Sequence, residues 1–217
     1  MKKEFNEKIR KMFENDNFPT RQFVIYLLFV IFNAVLSIPL TERIAALTIK
    51  SMQVDPAQSD IMLAFLSHID ILTIVSSIIG AVISTLLFGL IIWGASRMVG
   101  VEFNYNQGVM MCIVLQFILI VNDFLSLGIN AIIGIDTITS IHDTDYTSIA
   151  AIFNKVGVYA PFAFLSAINP FTIIAFTFMA YCWSILPYGN KKKAVGVSLA
   201  LFCIYTLVEA SMMSIGS

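Results

Sequence analysis

Charge is what this sequence has least of. Lys, Arg, Asp and Glu make up only 12% of its 217 residues, about half the share usual in a soluble domain. Hydrophobic residues reach 58% and the mean hydropathy is +0.85, which excludes an ordinary water-soluble chain. The formal net charge of −1 points away from a nucleic-acid partner and from an acid-rich tail. Cysteine is scarce too. Cys112, Cys182 and Cys203 all fall inside apolar runs; an odd set of this kind builds no disulfide framework, and they read as small core residues. The only two histidines, His68 and His142, have no Cys or His at ligand spacing, so neither a metal nor a cofactor is expected. No GxSxG, HExxH or phosphate-loop motif occurs, and the pairs His68 with Asp70 and His142 with Asp143 lack a nucleophile. No catalytic set is legible, and the chain is not expected to be an enzyme.

What the sequence does have is long apolar runs. An apolar run of about 18 or more residues is what a helix needs to cross some 30 Å of hydrocarbon. Five runs meet that need: about Phe23–Leu40, Ile71–Ser96, Gly108–Ile135, Ile168–Pro187 and Ala194–Met213. The expected fold is therefore all-α, a polytopic bundle of five transmembrane helices over residues 23–213. The first run starts behind a charged segment with no small-residue cleavage site after it, so it reads as a span rather than a signal peptide. Residues 1–22 form a separate cytoplasmic, amphipathic segment. In it Phe5, Ile9, Met12 and Phe13 share one stripe among lysines, as in a helix lying on an anionic surface; a frayed, solvated tail is the alternative. Two outer loops are expected, 41–70 and 136–167, the second apolar enough over 149–165 to dip into the interface.

Basic residues orient the bundle. With the N-terminus inside, the inner segments hold ten Lys and Arg (six before Arg21 inclusive, Arg97, and Lys191–Lys193), against Arg43, Lys50 and Lys155 outside. The C-terminus then ends outside, and the cytoplasmic (plasma) membrane is the expected location. Tyr26, Trp93, Tyr105, Trp183 and Tyr188 fall near the inner interface, where aromatic belts form.

Small residues often mark contacts between helices in lipid. Ser76, Gly80 and Ser84 form one such stripe, Ala81, Thr85 and Gly89 an adjacent one, and Gly196 with Ala200 a third. They read as contacts within one bundle or as a homodimer seam. The third span carries the most informative polar set. Gln116, Asp123 and Asn130 recur every seven residues, with Asn122 adjacent. Ionisable groups in spans face the bundle interior or water, and no span holds a Lys or Arg to pair with Asp123. Gln116, Asn122, Asp123 and Asn130 are thus candidate binding residues around a polar cavity for an ion, proton or lipid headgroup, with Asn33 and Asn169 as hydrogen-bonding neighbours. Otherwise the stripe is polar glue, or Asp123 sits at an interface because the span ends near Val121. Asn169-Pro170 reads as an N-cap followed by proline at the first helical position.

Two stretches carry a family resemblance: Trp93-Gly94-Ala95 through Val99-Gly100-Val101-Glu102-Phe103, and Trp183-Ser184-Ile185-Leu186 with Lys192-Lys193-Ala194. Over about residues 70–213 the layout resembles the Yip family of Ypt/Rab-interacting membrane proteins in its short bacterial form. The resemblance implies five spans with the N-terminus in. Eukaryotic members carry a long cytosolic N-terminal region and an Asp-Leu-Tyr-Gly-Pro motif; neither is present in this sequence, so a Rab-type GTPase partner is not implied. The expected partners are the lipid bilayer and either further copies of the chain or another membrane protein. The expected function is a non-enzymatic membrane scaffold or adaptor organising such partners or lipids. The alternative is a small transporter or lipid-handling permease using the polar stripe.

Overall fold

A long apolar run in hydrocarbon can satisfy its backbone by bonding it within the run, as a helix. The computed structural model of the chain describes residues 2–14, 17–51, 69–137, 146–148, 151 and 165–215. Among these residues there are six α-helices and no strand: α1 (Lys2–Phe13), α2 (Thr20–Ser51), α3 (Ile69–Val99), α4 (Tyr105–Ile133), α5 (Pro170–Ile185) and α6 (Lys191–Ile215). A 3-10 turn, Ile135–Thr137, follows α4. Thr20–Leu47, Asp70–Val99, Tyr105–Ile133 and Lys191–Ser211 are each long and apolar enough to span a membrane. Their outward faces are apolar as well: Leu28, Phe32, Ile71, Leu87, Leu199 and Leu207 are all more than half exposed. Lipid accommodates such a continuous surface and water does not. The molecule is a multi-pass helical membrane protein.

The fourth expected span is shorter than the rest. α5 has 16 residues, about 24 Å at 1.5 Å per residue. Its start is as expected: Asn169 is the N-cap, its side chain accepts from the Thr172 N–H at 2.9 Å, and Pro170 follows. The first span is longer than expected. α2 runs through Pro39 to Ser51 instead of giving way to a loop at residue 41. Arg43 near its end donates to the Asp136 carbonyl at 3.1 Å, which ties this end of α2 to the turn after α4. The rest of the first expected outer loop, 52–68 with His68, lies outside the described residues. So do His142, Asp143 and most of the second loop, including nearly all of the stretch expected to dip into the interface.

The opposite end of the bundle gathers the connections. Asn190 N–H donates to the Val99 carbonyl at 3.2 Å, joining the α5–α6 and α3–α4 links. Arg10 Nε of α1 donates to the Ile185 carbonyl at 2.8 Å, Gln107 of α4 donates to the Phe13 carbonyl, and the rings of Phe13 and Phe103 stack at 5.3 Å. The main core lies here, with Val99, Met111, Met179, Cys182 and Trp183 fully buried. α4 is the central helix, packed on α2, α3 and α5, and α5 pairs with α6.

Four expectations change on this frame. α1 is neither a free surface helix nor a frayed tail: Ile9 and Phe13 are buried against the bundle, while the ion pairs Glu4–Lys8 and Glu7–Lys11 face outward. Trp183 and Tyr26 are core residues, not interfacial aromatics; Trp93 keeps a rim role, with the Arg97 guanidinium 5.1 Å from its ring centroid. Cys203 is exposed, unlike Cys112 and Cys182. The small-residue stripes separate: Ala81, Thr85 and Gly89 are buried against α4, whereas Ser76, Gly80, Gly196 and Ala200 are exposed. A Cβ at Gly80 or Gly196 would meet nothing within 4 Å.

Candidate functional site: a two-rung polar cleft

Seven residues make nearly two turns of an α-helix, so positions seven apart share a face about 10 Å apart along the axis. Three such pairs converge. Tyr26 and Asn33 of α2, Ser77 and Ser84 of α3, and Gln116 and Asp123 of α4 line one open cleft of about 310 Å³. α3 runs opposite to its two neighbours, so the pairs sort into two polar rungs. Tyr26, Ser84 and Gln116 form the rung nearer the α1 end, and Asn33, Ser77 and Asp123 form the farther one. Val30, Gly80, Ala81, Leu119 and Ile120 line the apolar wall between them.

The near rung is bonded internally. Thr85 is fully buried beside it, and its Oγ1 donates to Gln116 Oε1 at 2.8 Å. Gln116 Nε2 donates to Ser84 Oγ at 3.2 Å. The Tyr26 ring packs edge-on against Phe117 with centroids 5.8 Å apart. Gln116 therefore acts as polar glue between α3 and α4, an arrangement worth about 0.6 kcal/mol per hydrogen bond in helical membrane proteins.

The far rung is not bonded. Among the described residues, neither Asp123 nor Ser77 makes a side-chain hydrogen bond or ion pair, and Asn33 Oδ1 is buried without a partner. Asp123 is exposed to the cleft although three helices crowd around it. Among the described residues, no Lys, Arg or His lines the cleft. α4 continues unbroken for ten residues beyond Asp123 to Ile133, so the carboxyl group is not at the end of the helix. An ionisable group within a span is costly, and no hydrogen bond from the described residues offsets that cost for Asp123.

The four candidate residues thus take different positions. Gln116 and Asp123 enter the cleft. Asn130 does not: it is buried near the end of α4, where Nδ2 donates to the Ser126 carbonyl at 2.8 Å and its own carbonyl accepts from Gly134 N–H. Asn122 also lies outside the cleft, with a buried Oδ1 that has no partner among the described residues. Asn169, named as a neighbour of Asp123, serves as the α5 cap instead. Tyr26 and Ser77 escaped sequence reasoning. The signal was present, since both belong to heptad pairs matching that of Gln116 and Asp123. No protein-family model, curated protein or solved structure matches this chain.

Proposed function

We propose that the protein is a non-enzymatic scaffold or adaptor of the cytoplasmic membrane, a five-span bundle of Yip-like layout with its N-terminus inside and its C-terminus outside. The observation that carries this reading is the outward turn of α6: Gly196, Ala200 and Cys203 are exposed along one face. Gly196 leaves room there for a second helix, and small residues let helices approach closely in lipid. Ile173, Phe176, Leu199 and Phe202 line a shallow apolar groove of about 240 Å³ between α5 and α6. The fifth span is supported by the pairing of α5 with α6 and by the return of Ile185 to the end that holds α1.

The native Cys203 offers a direct test, because Cys112 and Cys182 are buried. Mild oxidation of membranes containing the protein is expected to give a cross-linked dimer that disappears in Cys203→Ser and weakens in Gly196→Leu. A chain that stays monomeric by native mass spectrometry, with no change in Gly196→Leu, sinks the α6 seam.

The cleft supports a second reading, a small transporter or lipid-handling permease. It rests on Asp123 and Asn33 Oδ1 standing without a hydrogen-bond partner among the described residues, on two of the three helices that line the cleft. Flux of an ion, proton or lipid through reconstituted vesicles, abolished by Asp123→Ala, is its expected signature; flux equal to that of empty vesicles rules it out.

A further inference from the structure

We infer that the cleft between α2, α3 and α4 binds a small amphipathic primary amine in its protonated form, with the ammonium group on the Asn33–Ser77–Asp123 rung. The inference deepens the second reading above and rests on the cleft being a ligand site. Its first support is the contrast between the rungs. Gln116, Thr85 and Ser84 satisfy one another, whereas the far rung presents a carboxyl group, a buried amide oxygen and a hydroxyl without partners among the described residues. Two of those three groups only accept hydrogen bonds through the atoms concerned, and one can carry negative charge. The complement is a donor with a positive charge.

Size selects among cations. The cleft holds about 310 Å³, room for about ten waters at 30 Å³ each. A bare metal ion would fill little of it, and among the described residues one carboxyl group lines it. An organic cation of modest size fits the volume, which falls at the lower end of the range for small-molecule sites. The wall between the rungs supplies the matching apolar surface through Val30, Ala81, Leu119 and Ile120. Tyr26 closes the near end with an aromatic ring. The rungs stand about 10 Å apart, so a short alkyl chain running from the ammonium would lie along that wall. Such a molecule partitions into the bilayer and can reach a cleft that lies within the spans.

N–H donation separates the primary amine from its quaternary analogue. Asp123, exposed to the cleft, can accept an N–H from a primary ammonium, as can the buried Asn33 Oδ1 once its amide turns toward the cleft; neither can accept from a trimethylammonium group. A hydrogen bond to a charged partner is worth about 1.5–3 kcal/mol, which corresponds to about tenfold to a hundredfold in affinity.

The test uses the full chain in phosphatidylcholine nanodiscs, with empty nanodiscs subtracting partition into lipid. Radiolabelled hexylamine is expected to bind saturably, at about one per chain. Asp123→Asn should weaken it about tenfold or more and Asn33→Ala by about threefold or more. Hexyltrimethylammonium and hexanol should compete poorly. Asp123→Glu, which keeps the charge, guards against a folding defect and should retain saturable binding. Absence of saturable binding overturns the proposal, as does binding indifferent to both Asp123→Asn and Asn33→Ala. Equal competition by the quaternary analogue, or saturable binding of sodium without that of hexylamine, overturns it as well. The reading beneath it is checked separately, by reaction of Asp123→Cys with a water-soluble maleimide in a chain lacking the native cysteines. Reactivity there with no amine binding leaves the cleft standing and removes the amine.

Discussion

At the residue scale, the bundle is most sensitive where two backbones touch. α3 and α4 cross at Gly89 and Gly108. A Cβ on Gly108 would sit 2.5 Å from the Gly89 carbonyl oxygen and 3.0 Å from Trp93 Cβ, and one on Gly89 would meet Val109 Cγ2 at 2.8 Å. A backbone oxygen cannot swing aside as a side-chain tip can, so the helices must separate. Gly108→Ala is expected to cost about 1–3 kcal/mol, the usual range for overpacking, read as a lower thermal midpoint of the purified protein. Gly94→Ala is the control. Nothing lies within 4 Å of a Cβ there, so the substitution should be neutral or gain about 0.5–1 kcal/mol from reduced backbone freedom. Equal midpoints for the two variants would show that α3 and α4 do not meet at Gly108. The residue scale also separates Gln116 from Asp123, two turns apart on one helix: one is bonded across to α3, the other to nothing among the described residues.

At the element scale, α1 is the piece whose role only its contacts define. Its twelve residues carry an amphipathic stripe that a bilayer surface could equally accept. In the structure Ile9 and Phe13 of the stripe are buried against protein while Phe5 stays half exposed; Phe13 stacks on Phe103, and beside the stripe Asn6 accepts from the Tyr181 hydroxyl and Arg10 reaches the last carbonyl of α5. Loss of the Phe13 ring removes its burial together with an aromatic pair worth about 0.5–1.5 kcal/mol beyond area. Phe13→Ala is therefore expected to release α1 while the spans remain folded. Faster tryptic cleavage at Lys8, Arg10 and Lys11 would report it, with the thermal midpoint little changed. Cleavage as slow as in the unaltered chain would mean that α1 is held by other contacts. α5 makes the complementary point. Its 16 residues fall short of a bilayer alone, and it gains its place by packing on α4 and α6.

At the scale of the whole molecule, the links sort to two ends without reference to any membrane. α1, the α3–α4 link and the α5–α6 link share one end, and Arg43 with Asp136 marks the other. Of the ten basic residues counted as internal, nine lie in or beside these pieces and Arg21 opens α2. Single-cysteine reporters at positions 18, 104 and 191, in a chain without native cysteines, are expected to react from the cytoplasmic side only, and one at position 136 from the outside only. Reaction of position 191 from the outside would mean that α5 does not cross, and the five-span proposal would fall.

The sequence by itself determined what depends on composition and period along one segment. Apolar length marked the long helices, Asn169-Pro170 marked the start of α5, and the scarcity of charge marked the membrane as solvent, because each is a local property of the chain. Tertiary structure decided what depends on how segments face one another. Gly80 and Gly89 carry similar local signals, yet one borders the open cleft with nothing within 4 Å of its Cβ position and the other meets Val109. Tyr26, Asn33, Ser77 and Asp123 lie on three helices and share one cleft only because α3 runs antiparallel to α2 and α4 in the register that sets Ser84 and Thr85 against Gln116. A single helix cannot encode its partner's rotation or register; those follow from the packing of all the faces at once, and the cleft is a consequence of that packing.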